Sequence, residues 1–346
     1  MSKGRFGTMR QCAALSINAR GVASGLMRIG VLERVDCEGL DRVRRMGFSS
    51  MEWVGFADGP CGVALSDWEP HARSIAAEAQ IRDIRISAIA VLYANPLHPD
   101  QTEYARATFR RAIEVAGTIG VRTVAGFPGA VIETEINERG GNPVTKPFED
   151  YLPQLLAFWE PIAQYASEKG VRIAFEHCPQ GAYHLPVMGY NMLAQPAMWE
   201  RLFNATSCDN IGIEWDASHL MCQLIDPVEN IRRFGSRIFH VHAKDASIRH
   251  DLLKVYGICH PGVAEHRWPG LGQANWPEIV HSLVRVGYDS DLNIEGWHDP
   301  IFRDHPDAVA DSGEATNGTP LAGRKLEEAG LMIAKRTLEH LVAGTE

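Results

Sequence analysis

The stretch IFHVHAKDA, residues 238–246, joins an apolar alternation to three basic side chains and an aspartate. Successive side chains of a β-strand point to opposite faces. We therefore expect Phe239, Val241 and Ala243 to share one face and the basic side chains to share the other. A strand end that carries this much polar chemistry is either a solvated edge or part of a site, and the segments around it decide which.

Around this stretch, short apolar runs alternate with longer amphipathic segments from residue 27 to the end of the chain. The predicted strands cover residues 27–32, 50–53, 85–90, 122–125, 171–176, 211–214, 238–242 and 292–295. A predicted helix follows each strand, and this alternation is typical of βαβ units and a parallel sheet. Eight such units predict an α/β fold, a single (β/α)8 TIM barrel, which usually needs about 250 residues or more.

The chain divides into a short arm and one domain. Residues 1–26 contain four basic side chains and no acid, and they lack the continuous apolar stretch of a secretion signal. We expect a basic arm there, loosely ordered or packed on a neighbouring subunit, with a targeting peptide as the alternative. The barrel would occupy residues 27–346. Its long connections follow predicted strands, on the face where such barrels build active sites; they are 95–99, 132–146, 177–195, 247–275 and 299–323.

Charge and composition exclude several classes of protein. The net charge of −9 is opposite to that of a protein that binds nucleic acid through phosphate contacts. No apolar run approaches the ~18 residues that span a bilayer, so we expect no membrane partner. The seven cysteines form no CxxC pair, which favours a reduced, cytoplasmic setting. The first strand lacks a Gly-rich turn after it, so a doubly wound sheet with a nucleotide site is disfavoured.

Four predicted strands end in a metal-ligand type of side chain on the face away from the bulky apolar residues. They are Glu176, Asp216, His242 and Glu295. In a parallel barrel these side chains converge at the carboxyl ends of the strands, where like charges close together resist ionisation. A divalent cation resolves that crowding. An oxygen-rich set with one imidazole favours Mn²⁺, Mg²⁺ or Co²⁺, and Zn²⁺ also accepts these ligands.

A structural salt-bridge layer is the alternative to a metal. Arg172 and Lys244 would be its counter-ions, but two bases leave this many acids unbalanced. Lys244 lies on the same face as His242, so we expect it to contact a substrate oxygen or to tune a carboxylate. A salt bridge to Glu214 or Asp216 is equally compatible with its position.

Taken in chain order, these strand ends resemble the xylose isomerase-like TIM barrel superfamily. It includes sugar epimerases of the tagatose 3-epimerase type, inosose dehydratase-like proteins and endonuclease IV. The matching motifs are a Glu after strand five, DxxH at 216–219, HxKD at 242–245 and a Glu after strand eight. HRWPGLGQANW, residues 266–276, is similar to the R-x-PG-x-G-x-x-x-W stretch of the family. The similarity covers roughly residues 27–343.

The resemblance implies a role for each motif. The ligands of one divalent ion would be Glu176, Asp216, His242 and Glu295. The two glutamates would also exchange the substrate proton, while the ion polarises the carbonyl or enediolate oxygens. His219 and Arg267 would hold substrate hydroxyls.

Three further histidines are candidates with two interpretations each. His177 directly follows Glu176 and is either a supporting residue behind the ligands or a catalytic group. His184, in the loop after strand five, either binds substrate or packs in a lid. His298 is less typical of the simple epimerases, and we expect it to bind substrate or to serve a leaving group.

The predicted function is a metal-dependent isomerase or epimerase that acts on a keto-sugar or polyol through an enediolate. The alternatives are an inosose-type dehydratase, a lyase resembling the C-glycoside deglycosidases that cleave 3-keto-glycosides with a small partner subunit, and a binding barrel without catalysis. Strands two and three end without the histidines of endonuclease IV, which disfavours DNA cleavage. We expect a small carbohydrate as the substrate, and a homo-oligomer or a hetero-oligomer with a small subunit.

Overall fold

The computed structural model describes residues 27–92, 95–129, 148–179, 191–296, 298–303 and 325–343. The arm predicted at residues 1–26 and the candidate residue His184 lie outside these ranges. Within them, no helix combines the length and the apolar character needed to cross a membrane.

The strands of the described chain form a closed barrel and one small hairpin-like sheet. They are β1 (Ile29–Glu33), β2 (Ser50–Trp53), β3 (Arg85–Val91), β4 (Thr123–Gly126), β5 (Arg172–Glu176), β6 (Ile211–Asp216), β7 (Ile238–Ala243), β8 (Asp245–Ile248), β9 (Ala264–Arg267) and β10 (Leu292–Ile294). The barrel is parallel, in the closed order β1, β10, β7, β6, β5, β4, β3, β2. The pair β8 and β9 is antiparallel and follows β7. The predicted single (β/α)8 barrel is confirmed.

The described helices surround this barrel. They are α1 (Cys37–Arg45), α2 (Trp68–Ile81), α3 (Thr102–Ile119), α4 (Phe148–Glu168), α5 (Pro196–Ala205), α6 (Ala217–Met221), α7 (Pro227–Phe234), α8 (His250–Tyr256), α9 (Trp276–Arg285) and α10 (Lys325–Val342). Several begin where the sequence supplies a cap: Asp36 Oδ1 accepts from Gly39 N at 2.8 Å, and Asp226 caps α7 before a proline at its first position.

Aromatic packing between the barrel and its helices sets which strand side chains point inward. The Phe175 ring of β5 packs edge-on against Trp159 of α4, with centroids 4.5 Å apart, and Trp159 also contacts Phe109 of α3. Because neighbours in a strand alternate, this outward Phe175 directs Glu176 to the barrel interior. The aromatic packing between the barrel and its helices therefore also directs Glu176, the last residue of β5, into the barrel interior.

A shift of register in β7 corrects one sequence expectation. The pairing of β6 with β7 is irregular at Phe239. Its ring packs with Ala125 and Ala174, and a Cβ at Gly212 would lie 2.5 Å from it. Phe239 therefore fills the barrel interior, and the prediction that it shares the outer face with Val241 is wrong. A β-bulge re-aims side chains in this way, which alternation alone does not reveal.

The other end of β5 corrects a second expectation. Arg172 begins this strand, where its Nη2 lies 3.0 Å from Asp289 Oδ1 and 2.9 Å from the carbonyl oxygen of Phe239. It therefore sits at the opposite end of the barrel from Glu176, and it is not a counter-ion of the carboxylates at the carboxyl ends of the strands.

Candidate metal centre

Four adjacent barrel strands bring the predicted ligands together. Glu176 ends β5, Asp216 ends β6, His242 lies in β7 and Glu295 follows β10, and all four are buried. His242 Nδ1 lies 2.9 Å from Glu176 Oε2 and 3.2 Å from Glu295 Oε2. Lys244 Nζ lies 2.9 Å from Glu295 Oε1 and 3.9 Å from Asp216 Oδ2. Three acids, an imidazole and one base thus share a small buried volume.

Protein groups bind one oxygen of each carboxylate. Glu176 Oε1 accepts from the backbone N–H of Cys178 at 3.0 Å. Asp216 caps α6, where its Oδ1 accepts from the backbone N–H of Ser218 at 2.6 Å and from the Ser218 hydroxyl at 2.7 Å. Glu295 Oε1 accepts from the lysine ammonium described above. These bonds hold the three carboxylates in fixed orientations.

The remaining ligand atoms of these residues form a buried cluster that lacks aligned hydrogen bonds. Within the described chain, Asp216 Oδ2, His242 Nδ1 and Glu295 Oε2 are buried and have no hydrogen-bond partner. Ligand atoms of Glu176, His242 and Glu295 lie within 4.8 Å of one another. A buried polar atom without a partner costs about 1–3 kcal/mol. Carboxylate oxygens and one imidazole nitrogen are ligands that divalent ions accept, so these residues fit the predicted metal.

Burial and charge shift the acid–base properties of this cluster. Burial raises the pKa of Asp216 to about 7, against the opposing effect of Lys244. Burial also raises the pKa of Glu176. Burial alone would lower the pKa of His242, but neighbouring carboxylates, Glu214 first among them, raise it well above its ordinary value. Protons and a cation therefore compete for the same buried negative charge.

Lys244 is the buried counter-ion of the cluster. Burial disfavours its charged form, but the carboxylates of Glu295 and Asp216 raise its pKa above the ordinary value. Burial would likewise raise the pKa of Glu295, yet the lysine charge holds that pKa well below its usual range. Of the two salt bridges considered from the sequence, the structure gives a long contact to Asp216, whereas Glu214 pairs with His240; the closest partner of Lys244 is Glu295.

His177 lies behind the ligands. It is fully buried, and its Nε2 accepts from the backbone N–H of Asp216 at 2.9 Å. Its ring packs edge-on against Trp199, and burial lowers its pKa to about 3. This ring is therefore neutral and supports the strand position of a predicted ligand, which is the geometry of the supporting interpretation.

A row of imidazoles runs outward from the centre. His219 Nε2 lies 3.3 Å from Asp216 Oδ2. The His219 ring lies 5.1 Å from the His266 ring, which lies 5.7 Å from the exposed His298 ring. His266 Nδ1 lies 3.0 Å from the hydroxyl of Ser218. The structure thus brings His219 to the carboxylates and places His298 at the outer end of the row.

Arg267 is held by a buried aspartate. Its Nε donates to Asp299 Oδ2 at 2.9 Å, and the same oxygen accepts from the backbone N–H of Trp268. Asp299 Oδ1 accepts from two backbone N–H groups that follow it, those of Ile301 and Phe302. Asp299 therefore joins the connections after β7 and after β10, and it fixes Arg267 in one orientation.

The aspartate of HxKD explains the glycine-rich stretch that follows it. Asp245 Oδ1 accepts from Ala274 N at 2.8 Å, and its Oδ2 accepts from Gly270 N at 3.1 Å and from Trp276 Nε1 at 3.0 Å. A Cβ at Gly272 would stand 2.2 Å from Asp245 Oδ1. The loop therefore folds around one carboxylate and needs a residue without a side chain at closest approach.

Sequence reasoning missed Glu52, Ser218 and His266. Glu52 Oε2 lies 2.7 Å from His242 Nε2, on the side of the ring away from the cluster. An acid between Met51 and Trp53 in a buried strand was a usable signal, because alternation sends it inward. His266 directly precedes a predicted substrate residue, but nothing in its spacing distinguishes it from a loop histidine.

Comparison with known proteins agrees with the barrel fold. The family model of the xylose isomerase-like TIM barrel matches residues 40–317. Among curated relatives, the chain is 29% identical to the uncharacterized protein YfiH of Bacillus subtilis over 216 residues, which is 58% of this chain and 68% of YfiH. It is 27% identical to inosose dehydratase of Lacticaseibacillus casei over 158 residues, 44% of this chain and 49% of that protein.

Two solved structures share the fold at low sequence identity. A D-psicose 3-epimerase determined in the presence of D-fructose is 15% identical, with a TM-score of 0.62 over 91% of this chain and 99% of that one. The IOLI protein with a bound zinc atom is 18% identical, with a TM-score of 0.60 over 92% of this chain and 99% of that one. At this identity the likeness concerns the fold alone. With the family model covering most of the barrel, the chain belongs to the xylose isomerase-like TIM barrel family.

Proposed function

We propose that this protein is a divalent-metal-dependent enzyme that isomerises or epimerises a keto-sugar or a keto-polyol. The observation that carries the proposal is the set of buried ligand atoms at Asp216 Oδ2, His242 Nδ1 and Glu295 Oε2, which lie close together without an aligned hydrogen bond to any described residue. Buried polar atoms in folded proteins normally have partners, so a buried cluster without them indicates that these atoms bind a ligand such as an ion. Family membership and the epimerase with a similar fold support a sugar substrate.

The ligands of the ion would be Glu176, Asp216, His242 and Glu295. When bound, the ion would polarise the substrate carbonyl and offset the negative charge of an enediolate. Three carboxylates and one imidazole favour Mn²⁺, with Mg²⁺ and Co²⁺ as close alternatives. The zinc atom of the similar IOLI structure supports Zn²⁺ as a further candidate.

Glu176 and Glu295 would move the substrate proton. Their Oε2 atoms lie within 3.2 Å of the same atom, His242 Nδ1, so both carboxylates border one small space. Abstraction next to a carbonyl needs a positioned base, and return of the proton needs a positioned acid. Lys244, bound to Glu295, favours the ionised form that a base requires. Lys244 would thereby keep Glu295 ionised, and this role of Lys244 depends on its hydrogen bond to Glu295.

His219 and Arg267 would bind substrate hydroxyls. His219 lies against the carboxylates, and Arg267 is oriented by Asp299 on the connection after β7. His177 would support Asp216 through the backbone and would take no direct part in proton transfer. The substrate is a neutral sugar in this proposal, because Lys244 and Arg267 pair with Glu295 and Asp299, and the glycine-rich loop after β9 closes around Asp245, so neither forms a phosphate site among the described residues.

Deuterium exchange tests the proposal directly. Manganese-loaded protein in deuterium oxide is incubated with D-fructose, D-psicose and inosose, and the isotope content of each sugar is measured by NMR. We expect deuterium at the carbon next to the carbonyl, at a rate abolished in Glu295→Gln. Manganese-loaded protein that catalyses no exchange into any of these ketones would contradict the proposal.

Elimination is the second candidate, and the imidazole row favours it. Loss of water from a keto-polyol begins with the same proton abstraction; the C–O bond two carbons from the carbonyl carbon then breaks, and the leaving hydroxide takes a proton. His266 and His298 lie in the row that extends from the centre, and because burial lowers the pKa of both rings, they would relay the proton abstracted from the substrate to the leaving hydroxide. The identity to inosose dehydratase supports this candidate. An unsaturated ketone that absorbs in the near ultraviolet would identify it.

Cleavage of a 3-keto-glycoside, with a small partner subunit, is a further form of this elimination. Release of the aglycone from a 3-keto-glucoside, measured with and without that subunit, separates it from isomerisation. We also propose a cytoplasmic setting, on the cysteine usage, and an assembly of like copies in the absence of such a subunit.

A further inference from the structure

A second layer of ionisable side chains lies directly beneath the candidate metal centre. It consists of Glu52, Glu214 and His240, and none of them is exposed. Glu52 Oε2 lies 2.7 Å from His242 Nε2, and Glu214 Oε1 lies 2.7 Å from His240 Nδ1. The imidazole of His242 therefore has one nitrogen toward the candidate metal centre and the other toward this lower layer.

The two contacts of His242 differ in kind. Its Nδ1 lies 2.9 Å from Glu176 Oε2 and 3.2 Å from Glu295 Oε2, but neither oxygen of the described chain is aligned with the ring for a hydrogen bond. Its Nε2 lies at hydrogen-bond distance from Glu52 Oε2. A neutral imidazole carries one N–H, and the acceptor that binds this N–H decides which nitrogen keeps its lone pair. A carboxylate at Nε2 leaves Nδ1 as the metal-binding nitrogen.

We propose that Glu52 is the positioning residue of the metal centre. It would fix the tautomer and the ring orientation of His242, and it would strengthen this ligand through a carboxylate–imidazole–metal arrangement. The inference rests on the proposed function only in assuming that the centre binds a divalent ion. It assigns to β2 a role in metal affinity, although this strand supplies no ligand.

Glu214 is the less suitable partner of His242. Its Oε1 lies 3.3 Å from His242 Nε2, compared with 2.7 Å to His240 Nδ1, so the closer imidazole holds this oxygen. The His240 ring is held from its other side, where Nε2 lies 3.2 Å from the hydroxyl of Ser87. Glu52 Oε2 is farther from His240 Nδ1, at 3.8 Å. The four groups therefore form two pairs, and Glu52 belongs to His242.

A second ion in the lower layer is the rival explanation. Ligand atoms of Glu52, Glu214, His240 and His242 lie within 4.8 Å of one another. Glu52 Oε1 and Glu214 Oε2 are buried without a hydrogen-bond partner in the described chain. Against a second ion stand the two nitrogen–oxygen contacts of 2.7 Å, which have the length of charge-assisted hydrogen bonds. The two explanations differ in the number of ions bound per chain.

Binding of Mn²⁺ alone tests the inference without any substrate. The metal-free full chain is titrated against a competing chelator to obtain the dissociation constant and the stoichiometry, and the Co²⁺-loaded protein gives a visible absorption spectrum. We expect one ion per chain and about 10- to 100-fold weaker binding in Glu52→Gln, with a changed Co²⁺ spectrum because the ring of His242 reorients. Glu33→Gln is the matched control, since Glu33 is a buried glutamate on the adjacent strand β1 that pairs with Arg42.

Two further variants keep the test decisive. Glu52→Asp keeps the charge but shortens the side chain, which moves the carboxylate away from His242. It should therefore also weaken Mn²⁺ binding, and it provides the test if Glu52→Gln does not fold. Glu214→Gln should weaken binding less than either Glu52 variant. Wild-type affinity in the Glu52 variants, a larger loss in Glu214→Gln, or a second ion per chain that disappears in Glu52→Gln would each overturn the inference. Metal binding as expected without activity on any ketone would contradict the proposed function and leave this inference intact.

Discussion

At the scale of single residues, two chemically identical side chains have different surroundings. Glu176 Oε1 accepts from a neutral backbone N–H, that of Cys178, whereas Glu295 Oε1 accepts from the ammonium of Lys244. A charged donor stabilises a carboxylate more than a neutral one does. Burial raises the pKa of Glu176, while the lysine holds that of Glu295 well below its usual range. Separated acid–base properties of this kind suit a pair that passes one proton back and forth.

Removing the charge of either carboxylate should greatly slow turnover. Glu176→Gln and Glu295→Gln each keep the size of the side chain and remove its charge, so we expect kcat to fall about 10²- to 10⁴-fold together with weaker metal binding. Circular dichroism should stay unchanged, because the apolar core packs between the strands and the helices. Full activity in either variant would contradict the assignment.

A matched control for these variants lies in the α9 cap. Asn275 Oδ1 accepts from Glu278 N at the start of that helix. Asn275→Ala should lose about 1 kcal/mol of unfolding free energy and retain both kcat and metal affinity.

Lys244 should set the pH at which the enzyme becomes active. Lys244→Met removes the charge that lowers the pKa of Glu295, so that pKa should rise. Because a base must be ionised to accept a proton, the acid limb of kcat against pH should move to higher pH. An acid limb at the same pH in Lys244→Met and in the wild type would show that the ammonium does not tune this carboxylate.

At the scale of elements, strand alternation predicted the direction of most of the side chains considered and failed for one of them. The inward aim of Glu176 follows from the outward Phe175, which packs on Trp159. In β7 the same rule failed for Phe239, because a register shift there turns this residue inward. The rule still placed His242 correctly, since the irregularity lies before it in the strand. A bulge depends on pairing with a neighbouring strand, and a single strand's sequence carries no record of it.

A side chain at position 272 should destabilise the loop after β9, because the backbone of Gly272 approaches the Asp245 carboxylate closely. Gly272→Ala would place a Cβ 2.2 Å from Asp245 Oδ1, the atom that also accepts from Ala274 N. We expect a loss of about 1–3 kcal/mol in unfolding free energy and a raised KM, because Arg267 in β9 moves with this loop. Urea unfolding and steady-state kinetics measure the two effects.

The comparison for that variant is Gly170→Ala. Gly170 has a left-handed φ of 69° and open space around its would-be Cβ. Its replacement should cost only the backbone strain, about 1–2 kcal/mol, with an unchanged KM. Equal kinetic effects in the two variants would contradict a specific role for the Asp245 contact.

At the scale of the whole molecule, closure of the barrel creates contacts that no local pattern encodes. Glu52 and His242 are 190 positions apart, and they meet because β2 and β7 face each other across the barrel interior. The sequence could predict that the four candidate side chains converge, because each lies at or next to the carboxyl end of its own strand. It could not pair them with the lower layer, which depends on the strand order, on the register shifts between β2 and β3 and between β6 and β7, and on the barrel's diameter.

The same closure would make a bound divalent ion a determinant of global stability. Three carboxylates crowd one buried space, and folding must bring them together whether or not a cation is present. An ion that binds only the folded chain adds RT ln(1 + [L]/Kd) to the unfolding free energy, about 2.7 kcal/mol at 100 times Kd. We therefore expect the Tm to rise with Mn²⁺ concentration, to fall on addition of a chelator, and to recover on dialysis into Mn²⁺. In Glu176→Gln and Glu52→Gln the rise should begin at higher Mn²⁺, whereas Asn275→Ala should lower Tm by a constant amount at every concentration. Differential scanning calorimetry over a series of Mn²⁺ concentrations measures all four proteins, and a Tm of the wild type that is independent of Mn²⁺ would contradict a metal centre built from these side chains.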